Sequence, residues 1–503
     1  MRFPIAVGLP LVVAIFFSGT DSRAEATGPV WLVVTTNAFT EAIEPLAQQR
    51  RADGYRVVVT TESVATAIKS NPKLEYLLLV GDDQQANSEE SWHVASRWKP
   101  LYKWIATQDP KFAADAAYGD LDEDGIPEIS VGRIPARSAQ EVETAVAKIL
   151  RYESRPLTVK DLELVAWTGS PMYGPALDRL ATSLALGTID RYAPQWAEVW
   201  LQVADDRHAL FAWPEDHAEA FQSALSDGAC LAVVAAHGWT GGFVSVRTEL
   251  RDVSYTVDHA AARTARTPSA PSVLFTCDSG NFASSERSLT EAMLFAPGGP
   301  VAVIGATTQS HPLTNYYSQQ ALLETLTEAP PTIGDLWRYA QAKMPKMYDL
   351  LMEQALKDVE GKLEDNINVS KLKRDQLLMY ALLGDPATKL RLPKRLAARV
   401  EKRGDVWRWQ VDKPDAATQL HISFRPDGMK MPRRPATISR EEAIALHHQA
   451  LRTLRFAELS TVDADAEWQG EVDQPGRLRM IAITDQAIHA TTVDLQAEKG
   501  LTK

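Results

Sequence analysis

The fold of this chain is decided at residues 272–282, SVLFTCDSGNF, read with an earlier stretch, residues 230–238, CLAVVAAHG. Each is a short apolar run of strand-favouring residues that stops at a reactive side chain, Cys277 in one and His237 in the other, and then gives way to Gly and small polar residues. In an open parallel sheet, reactive groups gather just beyond the carboxyl ends of the strands, where loops shape a crevice. If the two strands are neighbours, Cys277 and His237 meet there. A thiol is a strong nucleophile as thiolate, and an adjacent imidazole lowers its pKa and carries a proton to the leaving group. The pairing predicts acyl transfer by a cysteine.

Working outward, residues 30–36 (VWLVVTT), a helix-patterned stretch at 38–51, a strand at 55–60, a helix near 64–70 and the run 74–83 (LEYLLLVGDD) alternate strand with helix, the signature of a parallel α/β sheet. Ser138 with Glu141 three residues on is a capping box that opens a helix to Tyr152. A second series follows: strand 162–168, helix 176–186, strand 197–203, helix 215–226, the His237 strand, the Cys277 strand, helix 288–295 and strand 301–307. The loop 308–312, TQSHP, leaves the last strand beside the site. Residues 315–380 are expected to be largely helical, and the charged stretch 389–403 to be a linker. From 405 onward short alternating segments and one helix near 439–455 predict a separate, mainly β domain. Its His447 and His448 are adjacent on a helix and cannot face one way, which argues against a metal role.

The chain has 503 residues, 45% hydrophobic and 23% charged, enough for several domains with proper cores. A formal net charge of -12 argues against nucleic acid or an anionic membrane surface as partner, since both need a basic face. Residues 1–26 have the form of a signal peptide: Arg2, an apolar core over 5–17 and the small-x-small cleavage site at 24–26. No later window reads as a membrane span, so the protein is expected to be exported, to a periplasm or the exterior. Only two cysteines occur, Cys230 and Cys277. One disulfide is an open alternative, but both lie in or at the ends of strands, and the expectation is a buried, apolar Cys230 and a free Cys277.

Asp120, Asp122 and Asp124 with Gly125, in YGDLDEDG, place carboxylates at alternate positions of a tight loop, like the first half of an oxygen-ligand calcium loop. Position 12 is Val131 where an EF-hand needs Glu, so two readings stand: a calcium site of another kind, or a solvated acidic turn.

With these residues in view, the stretch from about 30 to 393 resembles the gingipain-like (C25) cysteine peptidases of the caspase-like clan. The resemblance rests on YLLLVGD, YGDLDEDGIPEISVGRIPARS, AAHG at 235–238, CDSGNF at 277–282, GPVAVIGATTQS at 299–310 and LLGDPATKLRLP at 382–393, in matching order. It implies an α/β, caspase-like parallel sheet flanked by helices in two subdomains, 27–155 and a catalytic 156–393, with a smaller mainly β domain, often Ig-like, at 394–503. It also implies calcium sites that stabilise the fold and no cofactor for the chemistry. The family's nucleophile falls on Cys277 and its histidine on His237. The assisting glutamate would follow the strand 162–168, where this chain has GSPMYGP and no carboxylate, which leaves a dyad. The acid that reads a basic P1 side chain falls near Asp178, and the aromatic pocket wall on His311, beside Ser310.

The expected function is an exported cysteine endopeptidase acting on protein or peptide substrates. The Cys277 thiolate attacks the carbonyl, His237 protonates the leaving amine, the N–H groups of Gly238 and Cys277 hold the oxyanion, and water cleaves the acyl-enzyme. Two alternatives remain: a transpeptidase processing exported proteins, and a non-catalytic binding or assembly module that keeps the fold. Thiol alkylation separates them, because a paired thiolate reacts at pH 6 and an inert buried cysteine does not.

Overall fold

The computed structural model describes residues 28–104, 108–172, 174–226, 228–247, 252–264, 269–359 and 367–496; the leader read at 1–26 lies outside them. The amino-terminal block runs β1 (Val30–Val34), α1 (Thr40–Ala52), β2 (Arg56–Thr60), α2 (Val64–Lys69) and β3 (Leu74–Val80). A small antiparallel ribbon, β4 (Trp98–Pro100) with β5 (Lys111–Ala113), then leads to β6 (Ser130–Ile134) and α3 (Ala139–Ser154). Ser138 caps α3 by accepting from the Glu141 N–H, as its sequence signature requires.

The second block runs β7 (Glu163–Thr168), α4 (Pro175–Tyr192), β8 (Glu198–Gln202), α5 (His217–Ser226) and β9 (Leu231–Ala235). A three-stranded antiparallel sheet, β10 (Gly238–Trp239), β11 (Gly242–Arg247) and β12 (Asp252–Thr256), springs from the end of β9. Then come α6 (Val257–Ala261), β13 (Ser272–Phe275), α7 (Leu289–Phe295), β14 (Val303–Ala306), α8 (Pro312–Thr327), α9 (Ile333–Lys343), α10 (Leu350–Val359), α11 (Val369–Met379) and β15 (Tyr380–Leu383).

Both blocks contribute to one ten-stranded sheet, in the order β2-β1-β3-β6-β15-β14-β13-β9-β7-β8. Parallel strands need helical crossovers, which cover both faces and bury the strands, so their sequences read as unbroken apolar runs. The strands of each half are mutually parallel, and β15, parallel to β6 but antiparallel to β14, makes the two halves run in opposite directions. The amino end of β6, with the acidic loop before it, therefore shares a sheet edge with the carboxyl ends of β13 and β9.

The last block pairs β16 (Lys394–Arg395), β19 (Gln419–Pro426), β20 (Ala457–Asp463), β22 (Gly476–Ile483) and β23 (Ile488–Leu495) in one sheet, and β17 (Ala398–Arg403), β18 (Val406–Val411) and β21 (Gln469–Val472) in another. The two share a core of Trp407, Trp409, Leu420, Ile422, Leu478 and Met480. The helix α12 (Arg440–Leu454) turns toward β8, where buried His447 meets the Trp200 ring edge-on at 5.6 Å. The stretch 389–403, expected as a linker, is instead structured. Lys389 pairs with Asp53 at 2.5 Å and Arg391 with Asp161 at 3.3 Å, and the later residues of the stretch form β16 and β17.

Candidate active site

Strands β9 and β13 are parallel neighbours in register, with Phe275 opposite Ala235. Cys277 and His237, each two residues further on, therefore leave adjacent strand ends on the same edge. The contact between the two turns is made at Gly238. A Cβ there would sit 2.8 Å from Cys277 O, 3.1 Å from Cys277 N and 2.7 Å from Thr276 Cβ, so only glycine lets the turns close on each other. The Val244 N–H donates to His237 O, which makes Gly238 and Phe243 a non-hydrogen-bonded pair of the antiparallel ladder and turns the Gly238 N–H away from β11.

The imidazole is oriented by backbone. His237 Nε2 lies 2.9 Å from Pro171 O; a carbonyl can only accept, so Nε2 carries the proton. Sequence reasoning left this third place unfilled because it looked for a carboxylate, and a main-chain oxygen has no sequence signature. Cys277, partly exposed, directs its thiol to Ser310 O at 3.4 Å. No hydrogen bond joins it to His237 in this conformer. Burial first, with the Asp278 carboxylate adding to it, pushes the Cys277 thiol up. Cys277 is thus expected to rest as a thiol, and its alkylation should accelerate toward alkaline pH. Catalytic contacts often tighten only when substrate binds.

The other cysteine behaves as a core residue. Cys230 is fully buried, its thiol donates to Glu163 O at 3.1 Å, and burial pushes it far up; both cysteines are free.

Ser310, His311 and Asp178 each meet a specific partner. Ser310 Oγ accepts from Asn315 Nδ2 at 2.8 Å, within a buried cluster that includes Tyr380 and Gln376. His311 is 3% exposed, caps α8 through Nδ1 and lies edge-on to the partly buried Trp104 at 4.7 Å. Asp178, in the first turn of α4, accepts from Ser170 Oγ at 2.7 Å.

Asp278 was not singled out from sequence. It follows Cys277 in the left-handed region, φ 56°, and its N–H donates to Thr308 O at 3.1 Å. No cation or hydrogen-bond donor meets its carboxylate among the described residues, and burial, with Asp109 nearby, pushes it up to about 6. The sign follows from linkage. The folded protein holds this proton more tightly than the unfolded chain, so stability is highest below the unfolded pKa near 4 and falls as pH rises toward 6. Asp278→Asn should therefore match the wild-type Tm at pH 4 and exceed it at pH 8. A Tm difference independent of pH would contradict this.

On the same edge, Asp120, Asp122, Asp124 and Glu128 each offer a carboxylate oxygen, all within 4.8 Å of one another. Glu128, position 9 counted from Asp120, was missed because the carboxylate pattern was followed only as far as Gly125. One oxygen of each is already taken by loop N–H groups: Gly125 on Asp120, Asp124 on Asp122, Ile126 on Asp124 and Leu121 on Glu128. Asp120 Oδ1 is buried with no hydrogen-bond partner. A cavity of about 1570 Å³ lies elsewhere, between Glu153, Trp196 and Pro330 on one side and Asp485 of the carboxyl-terminal block on the other.

The sequence model described as Peptidase family C25 matches residues 24–391, and this chain belongs to that family of cysteine peptidases. Its substrates are accordingly proteins. Among solved structures, gingipain R (RgpB), an Arg-specific cysteine proteinase, is similar over 93% of this chain and 98% of its own, at 14% identity and a TM-score of 0.52. The complex of the Porphyromonas gingivalis RgpB pro- and mature domains gives 14%, 93% and 100% coverage, and 0.51. A structure described only as a protease gives 15%, 93% and 97%, and 0.55. At these identities the likeness establishes the caspase-like fold. No curated protein matches.

Proposed function

We propose that this cysteine peptidase is an exported endopeptidase in which Cys277 is the nucleophile and His237 the general acid and base. The observation that carries this reading is the pairing of in-register strand ends with an imidazole whose Nε2 proton is committed to Pro171 O. Nδ1 is then the nitrogen that exchanges protons with sulfur. As Cys277 Sγ bonds to the scissile carbonyl carbon, its proton passes to Nδ1; the C–N bond breaks as Nδ1 returns that proton to the leaving amine. Water, deprotonated by the same nitrogen, then cleaves the thioester and restores the thiol. The Cys277 N–H and the Gly238 N–H, turned away from β11, are the oxyanion donors, each worth about 10²–10³ in rate. Export is supported by the leader-like residues 1–26, and no described helix is long and apolar enough to cross a membrane. Incubating the protein with a peptide library and reading the cleaved bonds by mass spectrometry tests the proposal. Absence of cleavage by the protein without its leader, at any pH from 5 to 9, would end it.

We further propose that the acidic loop holds a structural calcium ion. Four carboxylates with spare oxygens, one of them buried and unpaired, suit a hard cation that takes oxygen ligands, and the bound ion would neutralise their mutual repulsion. It would brace the turn before β6 and take no part in the chemistry. Chelation should lower Tm and millimolar calcium restore it, because a ligand of the folded state alone stabilises by mass action. The same melting curve in chelator and in calcium would favour a plain acidic turn.

A further inference from the structure

We infer that Asp178 and Ser170 are positioning residues for catalysis: through a chain of hydrogen bonds they hold the Pro171 carbonyl against His237, in the place where a glutamate was expected. The inference rests on the peptidase reading and assigns Asp178 to the histidine, not to a substrate pocket.

After β7 the chain turns sharply at residues 169–172. Gly169 N–H donates to Ala235 O at 2.8 Å, and a Cβ on Gly169 would strike Val244 O at 2.5 Å and Ala236 Cβ at 2.7 Å, so the turn is pressed onto the end of β9. Ser170, 2% exposed, works in both directions. Its hydroxyl donates to Asp178 Oδ1 at 2.7 Å and accepts from Met172 N–H at 3.1 Å, which ties together the two residues flanking Pro171. Met172 is held at φ 66°, a strained value for a side-chain-bearing residue that persists only where surroundings impose it. Proline's ring fixes its own φ. The only degree of freedom left to the Pro171 carbonyl is thus set by Ser170, and Ser170 is set by Asp178.

The consequence is chemical. A carbonyl that accepts from Nε2–H selects the tautomer with the lone pair on Nδ1 and stabilises the imidazolium formed when Nδ1 takes the thiol proton. Weakening that contact disfavours the charged ring and loosens its orientation.

The test uses the full chain without its leader. Ser170→Ala and Asp178→Ala should each lower kcat about 10-fold, as loss of an orienting partner of a working histidine does. KM should stay within about twofold, and the acidic limb of kcat/KM should move to lower pH. Asp178→Asn, whose amide oxygen still accepts from Ser170, should restore the greater part of the loss. Folded enzyme is counted by alkylation of Cys277. A kcat and acidic limb unchanged in Ser170→Ala would overturn the inference, as would an Asp178→Asn enzyme that loses a basic-substrate preference with a raised KM. A readout without turnover separates it from the peptidase reading: in ¹⁵N-histidine-labelled protein, His237 should be a single Nε2–H tautomer, and mixed in Asp178→Ala. An unmixed tautomer in that variant sinks the positioning role, whereas absent cleavage sinks only the peptidase reading.

Discussion

Cys277→Ala is expected to reduce peptide cleavage by about 10⁴–10⁶-fold, the scale on which removal of an enzyme's nucleophile acts. In the proposed mechanism every covalent step runs through the Cys277 sulfur, and neither Cys230, buried in the core just before β9, nor Ser310 Oγ, engaged by Asn315, is placed to replace it. Stability should change little, by less than about 1 kcal/mol, because the Cys277 thiol gives up only weak, long contacts to Ser310 O and Oγ in a partly open crevice. Cys230→Ala should behave in the opposite way, keeping activity and lowering Tm, since it opens a cavity beside Leu231 and Val273. Cleavage assays and melting curves on the two variants check both halves. Full activity in Cys277→Ala would remove the sulfur from the mechanism.

The second large effect is structural. Arg133→Ala should cost about 3–5 kcal/mol, the range for breaking a buried pair and stranding one charge. Arg133 is fully buried near the middle of the sheet. Its Nε and Nη2 take Asp115 at 2.5 and 2.9 Å, and its Nη1 takes the carbonyls of Gly81 and Val94 at 2.7 and 2.8 Å. Removing it leaves the Asp115 carboxylate with only the Ser96 hydroxyl as donor, and strips two carbonyls of theirs inside the protein. The guanidinium also lies over the Phe282 ring, 4.8 Å from its centroid, and Phe282 ends the turn that begins at Cys277. A fall in Tm of roughly 10 °C follows from the stability change, accompanied by faster proteolysis of the loops around 94–118. A Tm within about two degrees of wild type would mean that the pair contributes little net stability.

Much of this was legible in the chain because it depends on local pattern. Unbroken apolar runs marked buried parallel strands at 30–34, 76–80, 231–235 and 272–275. Abrupt stops at Cys277 and His237 marked strand ends where chemistry collects, and the capping box at Ser138 marked a helix start. Those signals come from residues near one another in sequence, and the physics that produces them, side-chain burial and capping, is equally local.

What only the tertiary structure decided depends on backbone atoms and on distant neighbours. The Pro171 carbonyl beside His237 is invisible to composition, since every residue carries a carbonyl and only the close turn at Gly169 aims this one. The resting thiol of Cys277 comes from burial and from Ser310, thirty-three residues away. The charged stretch 389–403 read as a linker because charge implies solvent, yet Asp53 and Asp161, far back in the chain, pair with Lys389 and Arg391, and Arg391 is buried. Local sequence determined which groups could do the chemistry; long-range packing determined which protons they hold and which way they point.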